Sequence, residues 1–115
     1  MGKLTTHVLD VYHGQPASAM TITLSRITEN DTYTHLLTVQ TNQDGRCDAP
    51  LLDGEQLQSG EYELLFDVRA YFEEQACASP FLNRVPIRFT VFDASAHYHV
   101  PLLVSPWSYN TYRGS

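Results

Sequence analysis

Positive charge is scarce in this chain. Seven lysines and arginines stand against thirteen aspartates and glutamates in 115 residues, a formal charge of −6. Phosphate binding needs a basic face, so nucleic acid and membrane surfaces are not expected partners. Long apolar runs are missing too, and no segment reads as a bilayer-spanning helix. Cysteine occurs twice, at Cys47 and Cys77, with no CxxC pair and no Cys/His metal spacing. Both are expected to be reduced and structural. The first residues lack a basic stretch followed by an apolar one, and the final Arg113-Gly114-Ser115 is not a Ser-Lys-Leu address. The expected location is therefore the cytoplasm. No GxSxG elbow, glycine-rich phosphate loop or HExxH occurs.

What is present is globular. Hydrophobic residues make up 43% of the chain, enough for one core, and one domain over residues 1–115 is expected. Apolar and polar residues alternate over residues 20–27 and again at Val85, Ile87, Phe89 and Val91, the period of half-buried strands. Further strands are expected over residues 4–12, 35–41 and 62–68. The run over residues 98–104 is richer in apolar residues, as in a strand covered on both faces. Turn formers separate these runs at Gly14-Gln15-Pro16, Glu29-Asn30-Asp31, Asp44-Gly45, Asp53-Gly54 and Ser59-Gly60. Many short strands at regular spacing point to an all-β sandwich. One segment differs: Val68, Tyr71, Phe72 and Gln75 recur at helical spacing, which predicts a short helix over residues 67–76.

Histidines lie at 7, 13, 35, 97 and 99. His13 and His35 neighbour turn residues and are expected in solvent. His97 and His99 share a strand face, a spacing that suits a metal, but no third ligand stands nearby in the sequence. Arg46 follows the Asp44-Gly45 turn, where its planar fork can reach an anion or simply sit in solvent. Residues 105–115 carry Trp107, Tyr109 and Tyr112. Chain ends are usually polar and frayed, so such a tail is expected to dock on its own core or on another subunit.

Three blocks carry a likeness. Leu4-Thr5-Thr6-His7-Val8-Leu9-Asp10 with Gly14 and Pro16-Ala17, then Thr41-Asn42 with Asp44-Gly45-Arg46, and finally residues 97–106 with Tyr109 and Tyr112-Arg113-Gly114-Ser115, resemble the transthyretin-like family over essentially the whole chain. The terminal Tyr-Arg-Gly-Ser resembles the branch that hydrolyses hydroxyisourate, rather than the hormone carriers. The resemblance implies two four-stranded sheets with one short helix, and a homotetramer built as a dimer of dimers with sites in the channel between dimers. It implies opening of the six-membered ring of 5-hydroxyisourate in urate degradation, giving 2-oxo-4-hydroxy-4-carboxy-5-ureidoimidazoline, with no cofactor and no metal. His7, Arg46, His99 and Ser115 carry over as catalytic, and Arg46, Tyr112, Arg113 and Gly114 as substrate-binding. Cys47 receives no role. The chemistry fits those residue types: opening a cyclic amide takes a base for water, a charge for the oxyanion and a proton for the leaving nitrogen. Which histidine is base and which acid stays open. The competing readings are a carrier of a small ligand on the same fold, and a metal-binding sandwich using His97 and His99.

Overall fold

Alternation in the first residues builds the strand on which the rest is assembled. In β1 (Lys3–Asp10), Leu4, Thr6, Val8 and Asp10 are buried, while Lys3, Thr5, His7 and Leu9 point to the opposite, partly open face. The computed structural model describes residues 1–114, and the expectations placed on Ser115 lie outside them. Within them the chain continues through β2 (Gln15–Pro16), β3 (Thr21–Thr28), β4 (Thr32–Gln40), β5 (Leu52–Asp53) and β6 (Gly60–Asp67). The helix α1 (Val68–Glu74) follows, then β7 (Arg84–Val91), β8 (His97–Val104) and β9 (Tyr109–Thr111).

Two sheets result. One has the order β4-β3-β6-β7, as a four-stranded sheet. The other runs β2-β1-β8-β9, and β5 adds two more rungs at the start of β1, so this sheet has five members rather than four. All pairings are antiparallel except β1 with β8, which run parallel and place Thr5 opposite His99 and His7 opposite Pro101. Leu4, Val8, Ile22, Leu24, Leu64, Phe66, Val85, Val100 and Leu102 fill the space between the sheets. Burying side chains of this size is worth about 1.5–3 kcal/mol each before chain entropy is subtracted.

Several local expectations are adjusted. The β3–β4 ladder carries a bulge beside Leu24 and Ser25: Leu24 faces Leu37, Ser25 faces His35, and Leu36 is the extra residue on β4, while the β3–β6 register runs unbroken. β4 begins earlier than expected, at Thr32, where Asn30 and Asp31 turn the chain with positive φ. β8 carries its buried residues as a strict inner row of Tyr98, Val100, Leu102 and Val104, with Pro101 alone also buried on the outer row. The helix buries Val68, Tyr71 and Phe72 as expected, but it stops at Glu74 and leaves Gln75 exposed.

His13 is not simply a solvated turn residue. Its Nδ1 lies 2.7 Å from Oδ2 of the fully buried Asp10, and its backbone N–H donates to Oδ1 at 2.9 Å. The Tyr71 hydroxyl donates to the same carboxylate at 2.8 Å. A buried carboxylate is tolerated when its lone pairs are satisfied in this way, and the network ties α1 to the end of β1. Burial pushes the Tyr71 hydroxyl up to about 12; the Gln15 side chain opposes this and the Asp10 carboxylate adds to it. His35 is exposed, as expected, and its Nε2 lies 2.8 Å from the Thr38 hydroxyl.

Candidate active site

Strand alternation decides which residues can share a site. Thr5 and His7 on β1, and His97 and His99 on β8, belong to the outer face of the five-membered sheet. His7 lies two residues along from the Thr5–His99 pair, one strand over. Strand rise and spacing put the two histidine backbones about 8 Å apart on that diagonal, room for a small ring or a water between the imidazoles.

Arg46 reaches the same face because of one glycine. The loop after β4 folds around Asn42, whose Oδ1 accepts from the backbone N–H of Asp44 and of Arg46 at 2.9 and 3.1 Å. Gly45 has φ +75, and a Cβ there would lie 2.3 Å from the Val8 carbonyl oxygen. Only glycine allows that approach, which lets Val8 donate to the Gly45 carbonyl at 2.8 Å and clamps the loop beside His7. Arg46 itself is exposed, and no hydrogen bond holds its guanidinium among the described residues. With Lys3, Thr5 and Asp48 it lines a cleft of about 210 Å³, a local positive patch on an acidic protein.

The two histidines are held differently. His7 Nε2 lies 2.9 Å from the Asp44 carbonyl oxygen. A carbonyl only accepts, so Nε2 carries the hydrogen, and neutral His7 offers the lone pair of Nδ1. His99 Nδ1 lies 2.8 Å from the Thr5 hydroxyl, which can both donate and accept. That leaves Nε2 of His99 as its outward nitrogen. Burial, then the charge of Arg46, then His7, hold the His99 imidazole below its usual 6.5. His99 is therefore neutral at pH 7. Arg46→Gln removes the second of these causes and is expected to move the His99 midpoint up towards 6.5. An NMR titration of the imidazole Cε1–H checks this, and an unmoved midpoint would separate Arg46 from His99.

The tail is fixed by backbone more than by its aromatics. β9 pairs with β8, and beyond it Gly114 donates its N–H to the His99 carbonyl at 2.7 Å. A Cβ on Gly114 would fall 2.5 Å from Cδ2 of His99, so the glycine lies directly against the imidazole. Arg113 does not join the His7–Arg46–His99 group. Its guanidinium donates to the His97 carbonyl at 3.1 Å and stacks 4.4 Å over the Tyr98 ring, on the inner side of β8. Tyr112 is 56% exposed and lines, with Arg113, Tyr98 and Phe89, a separate apolar cleft at the sheet edges. Alternation explains the split: Tyr98 and His99 are neighbours in sequence and face opposite ways. On the single chain Tyr112 and Arg113 thus lie on the Tyr98 side, apart from His7, Arg46 and His99. Sequence reasoning also passed over Thr5. Its only signal is that it shares a strand face with His7.

His97 and His99 share a face, yet no group of three or more His, Cys, Asp or Glu gathers as a metal cage among the described residues. Cys47 and Cys77 are free thiols. Burial, and then the Asp48 charge, push the Cys47 thiol up, which disfavours the nucleophilic thiolate. No helix among the described residues is long and apolar enough to cross a membrane.

The chain is similar to known proteins over nearly its whole length. A family model described as "HIUase/Transthyretin family" matches residues 4–114. A 5-hydroxyisourate hydrolase of Ralstonia nicotianae is 57% identical, with all of both chains covered. The structure of Klebsiella pneumoniae 5-hydroxyisourate hydrolase superposes with a TM-score of 0.82 at 36% identity, again over the whole of both chains. Sea bream transthyretin in complex with thyroxine superposes with a TM-score of 0.89 at 29% identity, over 97% of this chain and 94% of that one.

Proposed function

The chain belongs to the HIUase/transthyretin family, and from that membership we propose that it is an enzyme that hydrolyses 5-hydroxyisourate, with His7, Arg46 and His99 as the catalytic group. The observation that carries the catalytic assignment is the meeting of two differently held imidazoles and one exposed guanidinium on one sheet face. A thyroxine-binding relative shares the fold, but a carrier has no use for two imidazoles and a cation converging on one another.

The hydrogen bonds support the following steps. Nδ1 of His7 takes a proton from water, and the hydroxide attacks the amide-like carbonyl carbon of the six-membered ring. Arg46 holds the anionic substrate and the oxyanion that forms. As the C–N bond breaks, the imidazole pair returns the proton to the leaving nitrogen. His99 suits the delivery, because a cation that burial and Arg46 disfavour gives up its proton readily. One water is consumed, and the product is the open-ring carboxylate, 2-oxo-4-hydroxy-4-carboxy-5-ureidoimidazoline. Gly114 holds the tail against His99, and the tail's part in this reading is to fix that imidazole.

The exposed aromatic residues Tyr12, Phe81, Trp107, Tyr109 and Tyr112 supply apolar surface for assembly. The reading includes a homotetramer, a dimer of dimers that encloses the site, one domain per chain, and a place in the cytoplasm.

The test is to mix the protein with freshly oxidised urate and follow the ultraviolet decay of the intermediate. Decay much faster than the spontaneous reaction is expected, and an unchanged decay would overturn the assignment. The rate is expected to survive exhaustive chelation. Loss of activity restored by one particular metal would instead favour a centre at His97 and His99.

A further inference from the structure

We propose that Thr5 is a positioning residue for this reaction: its hydroxyl orients the His99 imidazole so that Nε2 faces the substrate, and it follows the proton as that ring changes state. The proposal rests on the hydrolase reading above and adds a residue that carries none of the bond-making itself.

The geometry begins with register. Thr5 and His99 are direct partners in the parallel pair of β1 and β8, so their side chains rise side by side from the outer face. Thr5 is β-branched and stiff at χ1 in a strand, which fixes where its hydroxyl sits. That hydroxyl lies 2.8 Å from Nδ1 of His99, and it has no other side-chain partner among the described residues. With Nδ1 engaged, Nε2 is the nitrogen left for chemistry.

The contrast with His7 shows what a hydroxyl adds. The Asp44 carbonyl can only accept, so it locks one tautomer of neutral His7. A hydroxyl donates to a bare Nδ1 and accepts from Nδ1–H. The Thr5 contact therefore persists whether His99 holds its hydrogen on Nε2, on Nδ1, or on both. A proton can arrive at Nε2 or leave it without stranding the other nitrogen. Base and relay thus receive different kinds of partner, each suited to one task.

The charged and titratable groups that meet His99 are few. His7 faces it from β1, and Arg46 faces it from the clamped loop. Lys3 and Asp48 flank Thr5 and Arg46 in the same cleft, and His97 lies two residues back on β8. From the tail, Gly114 presents backbone only, and Arg113 is turned to the Tyr98 side. None of these offers the paired donor and acceptor capacity of the Thr5 hydroxyl at Nδ1.

The experiment compares the parent with Thr5→Val, which keeps the shape and removes the hydroxyl, and Thr5→Ser, which keeps the hydroxyl. Steady-state kinetics on freshly generated 5-hydroxyisourate are paired with the ¹⁵N shifts of the histidine rings, which report which nitrogen carries hydrogen. Thr5→Val is expected to lower kcat about tenfold with KM nearly unchanged, the loss of one orienting hydrogen bond. Its His99 ¹⁵N shifts are expected to move while those of His7 stay put. Thr5→Ser is expected to recover most of the lost kcat and the parent ¹⁵N pattern. The proposal is overturned if Thr5→Val turns over like the parent, if Thr5→Ser is as slow as Thr5→Val, or if the His99 shifts ignore the hydroxyl. An inactive parent would overturn the hydrolase reading itself, a result distinct from an active parent that is indifferent to Thr5.

Discussion

His7→Ala and His99→Ala are each expected to cut turnover by about 10²–10⁴-fold, the usual worth of a positioned proton-transfer group. The two should fail differently. His7→Ala removes the free Nδ1 that takes the water's proton, while the loop around Asn42 keeps its own hydrogen bonds and its Gly45 clamp on Val8. Exogenous imidazole is expected to restore part of the activity there, because a diffusible base can occupy the vacated space. His99→Ala also removes the side chain on which Gly114 rests, so added imidazole should help less. Neither side chain belongs to the core, and both variants should fold as the parent does. Steady-state kinetics between pH 6 and 8, with circular dichroism as a fold check, decides this. Near-parental activity in either variant would reduce that histidine to a structural part.

The second large effect is placed at the chain end. Deleting residues 112–115 is expected to abolish hydrolysis while leaving the sandwich folded. The core rows end with Val104, and β9 already closes the edge of β8 before Tyr112. What disappears is the Gly114–His99 backbone bond and the glycine packed on the imidazole. Gly114→Ala is the finer version: its added methyl would lie within 2.5 Å of the His99 ring, so the ring or the tail must move. A kcat reduced by about tenfold or more with unchanged thermal stability is expected, since a small misplacement of a catalytic group is costly. Full activity in the truncated protein would show that the tail only packs.

A strand over residues 4–12 was readable from its composition, though β1 ends at Asp10. The helix was readable from Val68, Tyr71 and Phe72. The β4 bulge was not, since nothing in His35-Leu36-Leu37 announces that one residue will stand without a partner in the ladder. β4 is exposed along most of its length, so its start leaves no burial pattern to read. β2 and β5 are two-residue strands that exist only because the β1 edge is there to receive them. For the site, His7, Arg46 and His99 were named by likeness and by the suitability of their chemistry. Their convergence depends on the β1–β8 register and on Gly45 touching the Val8 carbonyl, and neither has a local signature. Thr5 was missed for the same reason. The side on which Arg113 lies was not legible, because a one-residue change of face cannot be settled before the tail's pairing is known. The role of His13 was hidden in an Asp-x-x-His spacing whose meaning depends on Asp10 being buried.

The parallel pairing of β1 with β8 also has a kinetic consequence. Thr5 and His99 are separated by 94 positions, so the sheet that bears the site joins the first strand made to nearly the last. Such a contact carries a large loop-closure cost and comes late, whereas the hairpin-like neighbours β3 and β4 pair early. On the ribosome, β1 leaves the exit tunnel and must wait for almost the whole chain before its long partner exists. During that wait its edge is an open template for another copy. The charges and hydroxyls along its outer row, Lys3, Thr5 and His7, keep that waiting edge polar on one side. The face proposed to bear the site thus also helps keep the unfinished chain apart from its neighbours.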